Sequence, residues 1–406
     1  MPPILLVGIV IVAGFIFGEI AGRVKLPRVT GYIIAGIFLN LHYFDFLFQD
    51  FMDNTGIITN IALSFITFSV GGTLLFSRIK KLGRGILNIA VLESLFAFLF
   101  IFVGFLILTP LWGPVKDSSW FTVLIPISIL IASLGSPTDP SATLAVKHEY
   151  NARGDVSSTV MGVAALDDVA GILNYSIAIA IARVFVQPDG VDAASFIAEP
   201  AVAIFGAVLL GIAFGFIFNL VMSLAGRETE GVLIVLILGS LLTCYGFASY
   251  LKFDELLSTM VMGATVVNYN PQRDKIFKML QRYIEELIFV LFFVISGMHL
   301  DFSVLTTTFI LVCGFVVFRA VGKVLGSRLG ASISGSPTPV KKYAAAGLIP
   351  QGGIVIGLAL LITERPAFDA FSGIVLNIII GATVIHELVG PILAKAALKK
   401  AGEISE

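Results

Sequence analysis

MGVAALDDVAGILNYSIAIAI, residues 161–181, places two adjacent aspartates, Asp167 and Asp168, in a stretch that is otherwise apolar, small or uncharged. As a helix, this stretch is long enough to cross the roughly 30 Å hydrocarbon core of a bilayer. An ionised carboxylate at that depth costs about 3 kcal/mol or more, so such residues usually mark an ion pathway, a proton relay or a paired counter-ion. The stretch therefore predicts a membrane helix that carries a functional site.

The rest of the chain has the same membrane character. Of its 406 residues, 57% are apolar and only 13% are charged, and the mean hydropathy is +0.99. A soluble domain carries about 25% charged residues, so the composition indicates a single all-α polytopic membrane domain over residues 1–406. We predict about thirteen transmembrane helices. They lie near 3–23, 28–41, 55–76, 85–109, 121–147, 156–184, 198–224, 231–250, 254–270, 283–299, 303–327, 341–363 and 370–396.

The basic residues predict the orientation of these spans. Of the 26 lysines and arginines, 20 fall in loops on one side, and positive loops are typically cytoplasmic. We therefore expect an integral protein of a bacterial-type plasma (inner) membrane, with its amino terminus outside and a cytoplasmic tail at 397–406. The net charge of −1 and the lack of long runs of like charge exclude a nucleic-acid partner. The 20 residues are Arg23, Lys25, Arg28, Arg78, Lys80, Lys81, Arg84, Lys147, Arg153, Arg227, Arg273, Lys275, Lys278, Arg282, Arg328, Lys341, Lys342, Lys395, Lys399 and Lys400.

Two predicted spans contain residues that interrupt a helix. The fifth span carries SPTDP at 136–140, and the twelfth carries LIPQGG at 348–353. Proline removes a helical hydrogen bond, and paired glycines lower the cost of irregular backbone. Irregular backbone at membrane depth must be buried in protein or line a wet cavity, so these crossovers predict a binding site. Its candidate residues are Ser136, Pro137, Thr138, Asp139, Pro140, Pro350, Gln351, Gly352 and Gly353.

The two broken helices occupy equivalent positions in the two halves of the chain. We predict one six-helix repeat at about 3–184, a linker helix at about 198–224, and a second repeat at about 231–396. Six helices followed by one linker invert the second repeat, an arrangement that is common in secondary transporters. The fold is therefore expected to contain two inverted repeats whose broken helices cross.

Arg319 and Lys323 lie in the middle of the eleventh span and can balance the aspartates. The two cations share one helix face because they are four residues apart, whereas Asp167 and Asp168 point about 100° apart. Lysine is the better candidate for a switch because an ammonium can lose its proton on burial, whereas a guanidinium stays charged. A purely structural ion pair between two helices is the alternative.

These motifs, taken together, resemble those of the monovalent cation:proton antiporters, in particular the electrogenic sodium/proton branch with its paired aspartates. The likeness covers essentially the whole chain, and the ordered combination is more specific than any single motif. The segment at 319–322 is also similar to the arginine segment of the electroneutral exchangers. The matching segments are the aspartate motif at 162–172, the crossovers at 136–140 and 348–353, the lysine segment at 322–326 and the ending at 386–391.

The resemblance implies a core domain and a dimerisation domain, a homodimer, and elevator-type alternating access. It implies that Asp168 binds the cation or a proton and that Asp167 pairs with Lys323. Thr138 and Asp139 would line the crossover and offer hard oxygen ligands. Many relatives carry an arginine where this chain has Gln351.

We therefore expect a secondary antiporter that exchanges Na⁺, or Li⁺, for H⁺ and serves pH homeostasis. It would need no cofactor, and Na⁺ and protons would compete at Asp168. Electrogenic exchange follows if Lys323 or Asp167 also releases a proton. Potassium/proton exchange on the same scaffold is the nearest alternative, and a sodium-coupled symporter of an organic anion is the next. An enzyme is not expected, because an intramembrane aspartyl protease needs two carboxylates that share a proton, and adjacent residues on a helix cannot do so.

Overall fold

The computed structural model describes residues 2–24, 28–40, 55–139, 152, 154–186, 195–224, 229–300, 302–351 and 353–404. Within these ranges the chain forms fifteen α-helices, with a π-helical turn before α5 and a 3-10 turn before α15. The helices are α1 Pro3–Arg23, α2 Arg28–Leu39, α3 Gly56–Gly72, α4 Phe76–Leu108, α5 Ile125–Ser133, α6 Asp155–Val186, α7 Ser195–Leu224, α8 Glu230–Tyr250, α9 Glu255–Tyr269, α10 Arg273–Tyr283, α11 Glu285–Met298, α12 Phe302–Ile333, α13 Thr338–Gly347, α14 Ile354–Thr363 and α15 Ser372–Lys400.

The helices confirm the predicted all-α polytopic fold. Each of the thirteen predicted spans contains one described helix, except the twelfth, which contains α13 and α14. Seven helices, α1, α4, α6, α7, α8, α12 and α15, are by themselves long and apolar enough to cross a membrane. The division into repeats, the dimerisation domain and the orientation in the membrane stay predictions.

One described helix, α10, was not among the predicted spans. It lies between the ninth and tenth predicted spans, where the basic residues predict a cytoplasmic loop. Ile276, Met279 and Leu280 are buried, whereas Lys278 is exposed. This spacing is that of an amphipathic helix with one buried face. Its apolar residues are interrupted by charged ones, so the segment lacks the long apolar run that predicts a membrane span.

The long helices α4 and α12 pack along each other through a seam of glycines. Gly322, Gly326 and Gly330 recur every four residues on one face of α12. A Cβ added at Gly326 would lie only 2.3 Å from the backbone oxygen of Leu92. At Gly322 and Gly330 the nearest backbone oxygens of α4 would lie 2.6 and 2.7 Å away. Small residues at this spacing let two helices approach until their backbones touch. The seam brings polar side chains of α4 within reach of those on α12.

Both helix breaks are present in the described residues. Helix α5 ends at Ser133, and the described chain continues without helix to Asp139; Pro140 lies outside the described residues. Helix α13 ends at Gly347 and α14 begins at Ile354, with Gly352 also outside the described residues. The two irregular segments cross, because Thr138 forms an antiparallel bridge with Gln351. The amide of Asp139 donates to the carbonyl of Pro350 at 3.0 Å.

Candidate functional site

Four charged side chains meet where the irregular segments cross. Asp167 comes from α6, Arg319 and Lys323 come from α12, and Glu93 comes from α4. All four side chains are 0% exposed. Burying so many charges is expensive unless each one has partners of opposite charge or hydrogen-bonding groups. The partners of each group therefore indicate what it does.

Arg319 binds the backbone of both crossing segments. Its Nε donates to the carbonyl of Gly135 at 2.9 Å, and its Nη2 donates to that of Pro137 at 2.8 Å. Its Nη1 donates to the carbonyl of Ile349 at 2.5 Å. These carbonyls follow the carboxyl-terminal ends of α5 and α13, where the helix dipoles leave partial negative charge. The guanidinium therefore neutralises both half-helix ends, and within the described residues it forms no ion pair with a carboxylate.

Lys323 faces carboxylates in addition to backbone. Its Nζ donates to the carbonyl of Ser136 at 2.7 Å and to the hydroxyl of Thr138 at 2.8 Å. It lies 3.4 Å from Asp167 Oδ2 and forms an ion pair with Glu93 Oε1. Thr138 in turn donates to Asp167 Oδ2 at 2.5 Å. A continuous chain of polar atoms thus joins Glu93, Lys323, Thr138 and Asp167.

The two adjacent aspartates have different surroundings. Asp167 is fully buried, whereas Asp168 is partly exposed, as expected for neighbours that point about 100° apart. One carboxylate oxygen of each, Oδ1, has no hydrogen-bond partner among the described residues. Asp139, at the end of the first irregular segment, is also partly exposed. The pair thus offers two carboxylate oxygens that could bind a cation or a proton.

Gln351 joins both crossing segments to α15. Its Nε2 donates to the carbonyl of Leu134 at 3.1 Å, and its Oε1 lies 2.9 Å from His386 Nδ1. Gln351 carries no charge, unlike the arginine that many relatives have at this position. The positive charge at the crossing therefore comes from Arg319, whose guanidinium binds the carbonyls of both segments. Gln351 is fully buried and His386 is 1% exposed. These contacts hold the second irregular segment against the last helix.

The structure brings most of the predicted site residues together, some through backbone atoms. Ser136, Pro137 and Pro350 contribute carbonyl oxygens to the bonds described above. Gly353 lets Phe293 approach closely, because a Cβ there would lie 2.2 Å from its ring. Pro140 and Gly352 lie outside the described residues.

Sequence reasoning missed three residues at this site. Glu93 is the ion-pair partner of Lys323, although it was not among the predicted site residues. Ser94, next to it, lies 2.5 Å from the hydroxyl of Ser136, and Asn174 donates to both hydroxyls at 3.1 and 3.0 Å. A signal did exist, because Glu93 is a lone carboxylate in the fourth span, and the predicted repeats make that span the equivalent of the eleventh, which carries Lys323.

Comparisons with known proteins agree with this fold. A solved structure of the sodium proton antiporter MjNhaP1 from Methanocaldococcus jannaschii, at pH 8, superposes with a TM-score of 0.77 and covers 98% of both chains at 18% identity. The ammonium/H⁺ antiporter subunit AmhT of Alkalihalophilus pseudofirmus is 21% identical over 376 residues, covering 92% of this chain and 90% of that protein. The family described as "Sodium/hydrogen exchanger, transmembrane" matches residues 7–400. These matches confirm the resemblance carried by the motifs, and the chain belongs to the sodium/hydrogen exchanger family.

Proposed function

We propose that this cation:proton antiporter exchanges Na⁺ for H⁺ and that the two ions compete for Asp168. The observation that carries the proposal is that one buried carboxylate oxygen of Asp167 and one of the partly exposed residue Asp168 have no hydrogen-bond partner among the described residues. A carboxylate in such a position is neutralised either by a proton or by a monovalent cation. Because one group accepts either ion, each ion must leave before the other can bind, which couples their movements.

Sodium is proposed as the cation because the matching family and the similar solved structure both carry sodium in their descriptions. Li⁺ is the closest substitute, because it is also a small hard cation that prefers oxygen ligands. K⁺ is the alternative cation on the same scaffold. The printed name of AmhT adds NH₄⁺ as a cation that the same assay must include.

Elevator-type alternating access in a homodimer of the plasma membrane completes the proposal. Its support is the crossing of two half-helix ends, which Arg319 and Gln351 bind together as one unit. A unit tied together in this way moves as a rigid body, which carries the aspartates with it. The exchange is proposed to be electrogenic, and this requires a second proton-binding group besides Asp168.

Replacing Asp168 with asparagine is expected to reduce Na⁺-driven proton movement in proteoliposomes to that of protein-free liposomes. The amide keeps the size of the side chain but has no negative charge, so it binds neither a proton nor Na⁺ in place of the carboxylate. The measurement is the response of a trapped pH dye to gradients of Na⁺, Li⁺, K⁺ and NH₄⁺. The ion that drives proton movement in the wild type identifies the cation.

Asp155→Asn is the matched control, because Asp155 lies on the same helix, is exposed, and undergoes the same chemical change. It should transport at the wild-type rate. Undiminished cation-driven proton movement in Asp168→Asn would refute Asp168 as the shared site.

A further inference from the structure

We propose that Glu93 is a second proton-binding site of the exchange cycle, which it serves through Lys323 and Asp167. The inference rests on the proposed antiport function and names the group that carries the second proton. In the sequence-based hypothesis that group was Lys323 or Asp167. The geometry points instead to the carboxyl group of α4, with the lysine as a charged intermediary.

The first observation is that Lys323 has two carboxylate partners. The ammonium forms an ion pair with Glu93 and lies 3.4 Å from Asp167 Oδ2. All three side chains are 0% exposed. Glu93 Oε2 has no hydrogen-bond donor among the described residues, and Lys323 is the described cation that contacts this side chain directly.

The second observation concerns the charge balance of this buried group. With every member ionised, Glu93, Asp167 and Lys323 would leave one uncompensated negative charge away from water. Arg319 is also close, but its positive charge faces the partial negative charge at the carboxyl-terminal ends of α5 and α13, whose carbonyls take its donors. A buried charge without a partner of opposite sign lowers the stability of the folded protein much more than a paired one does. Two carboxylates that share a site also repel each other, so they do not both ionise readily. Without a bound cation, one proton is therefore held between the two carboxylates.

Cation binding changes this balance. When Na⁺ reaches Asp168, the unpartnered Oδ1 of neighbouring Asp167 turns to the cation, so Asp167 no longer needs Lys323. The ammonium is then neutralised by Glu93, which must lose its proton to do so. Lys323 is charged before and after the step, and the carboxyl group changes its protonation state.

The hydrogen-bonded chain provides a route for the proton. Lys323 first passes one of its protons to Asp167, directly or through the hydroxyl of Thr138. The neutral amine that results then takes the proton of Glu93, so the O–H bond of Glu93 breaks as a new N–H bond forms at Lys323. Asp167 then releases the proton that it received to water beside the partly exposed Asp168 as the cation binds. The net result of this transfer is that one proton leaves Glu93 for solvent, while Lys323, Thr138 and Asp167 end as they began. The proton that Na⁺ displaces from Asp168 is the other proton of the cycle.

Glu93 is held in place for this role by its neighbour. Ser94 lies 2.5 Å from the hydroxyl of Ser136, and Asn174 of α6 donates to both serines. These bonds fix α4 against the first irregular segment at the level of Glu93. The long flexible side chain of Lys323 can therefore shift between two fixed carboxylates.

The test is infrared difference spectroscopy of the reconstituted protein, with and without saturating Na⁺. In the wild type, Na⁺ is expected to remove the carbonyl absorption of a protonated carboxylic acid, and part of that loss should be absent in Glu93→Gln. A second measurement is the membrane potential at which net exchange stops, which gives the number of protons exchanged per Na⁺. This number should fall from two in the wild type to one in Glu93→Gln. Glutamine has the size of protonated glutamate, so folding is expected to be retained.

Glu93→Asp is the conservative control and should retain the wild-type ratio and absorption change, with a shifted pH dependence. A Glu93→Gln variant with the wild-type ratio and the full wild-type absorption change would overturn the inference. That outcome leaves the proposed function intact, because Na⁺-driven proton movement would continue. The proposed function would instead be refuted if the wild type showed no Na⁺/H⁺ exchange, or if exchange persisted in Asp168→Asn.

Discussion

Replacing Arg319 with methionine is expected to abolish transport and to lower the free energy of unfolding by roughly 3 kcal/mol or more. Methionine fills a similar volume but leaves the carbonyls of Gly135, Pro137 and Ile349 without their donors. Each buried carbonyl that loses its partner costs about 1–3 kcal/mol. The negative ends of α5 and α13 would also face each other without a cation between them. Thermal unfolding in detergent measures the loss of stability, and proteoliposome transport measures the loss of exchange.

Arg328→Met is the matched control, because Arg328 lies on the same helix and is exposed. It should leave the unfolding temperature and the transport rate unchanged. Arg319→Lys should give an intermediate loss, because an ammonium keeps the charge but cannot reproduce the planar fork of a guanidinium. If Arg319→Met unfolded at the wild-type temperature, the carbonyl contacts would not stabilise the crossing.

The contacts of Arg319 and Lys323 explain how far the sequence could predict the site. The sequence placed both residues in one span, next to a broken helix and opposite two aspartates, from hydrophobic length and proline spacing alone. Spacing alone could not distinguish their partners, because both cations share a helix face and either could reach an acid. The pairing of Lys323 with Asp167 was implied only by the resemblance to the antiporter family. The distinction depends on which face of α12 meets the carbonyls, and the packing of α12 against α4, α13 and α15 sets that rotation.

Glu93 shows the other limit of the sequence. A single carboxylate in an apolar span can face a neighbouring helix, an aqueous cavity or the membrane surface, and hydropathy does not distinguish these cases. Its partner lies 230 positions along the chain, at Lys323. Glycines at four-residue spacing, such as 322, 326 and 330, are typical of close helix packing, but the spacing does not name the partner helix. The helix breaks were predictable because proline acts locally, whereas this ion pair depends on tertiary contact.

Replacing Gly326 with alanine is expected to destabilise the protein by about 1–3 kcal/mol and to slow exchange strongly. The added Cβ would lie 2.3 Å from the backbone oxygen of Leu92 and 2.6 Å from Cα of Glu93. Backbone atoms cannot rotate away as side-chain ends can, so α4 and α12 must separate. That separation takes Glu93 away from Lys323, which lies one helical turn from the glycine. The loss of exchange should therefore exceed what the loss of stability alone explains.

Gly239→Ala provides the matched comparison, because Gly239 also lies in a helix but has nothing within 4 Å of an added Cβ. Its stability should be unchanged or up to about 1 kcal/mol higher, since alanine favours a helix over glycine. Unfolding temperature and transport rate are measured for both variants in the same detergent and liposomes. Equal behaviour of the two alanine variants would show that the seam tolerates a methyl group and that contact between α4 and α12 does not set the position of Glu93. A selective defect in Gly326→Ala ties the packing of two long helices directly to the buried charges that they position.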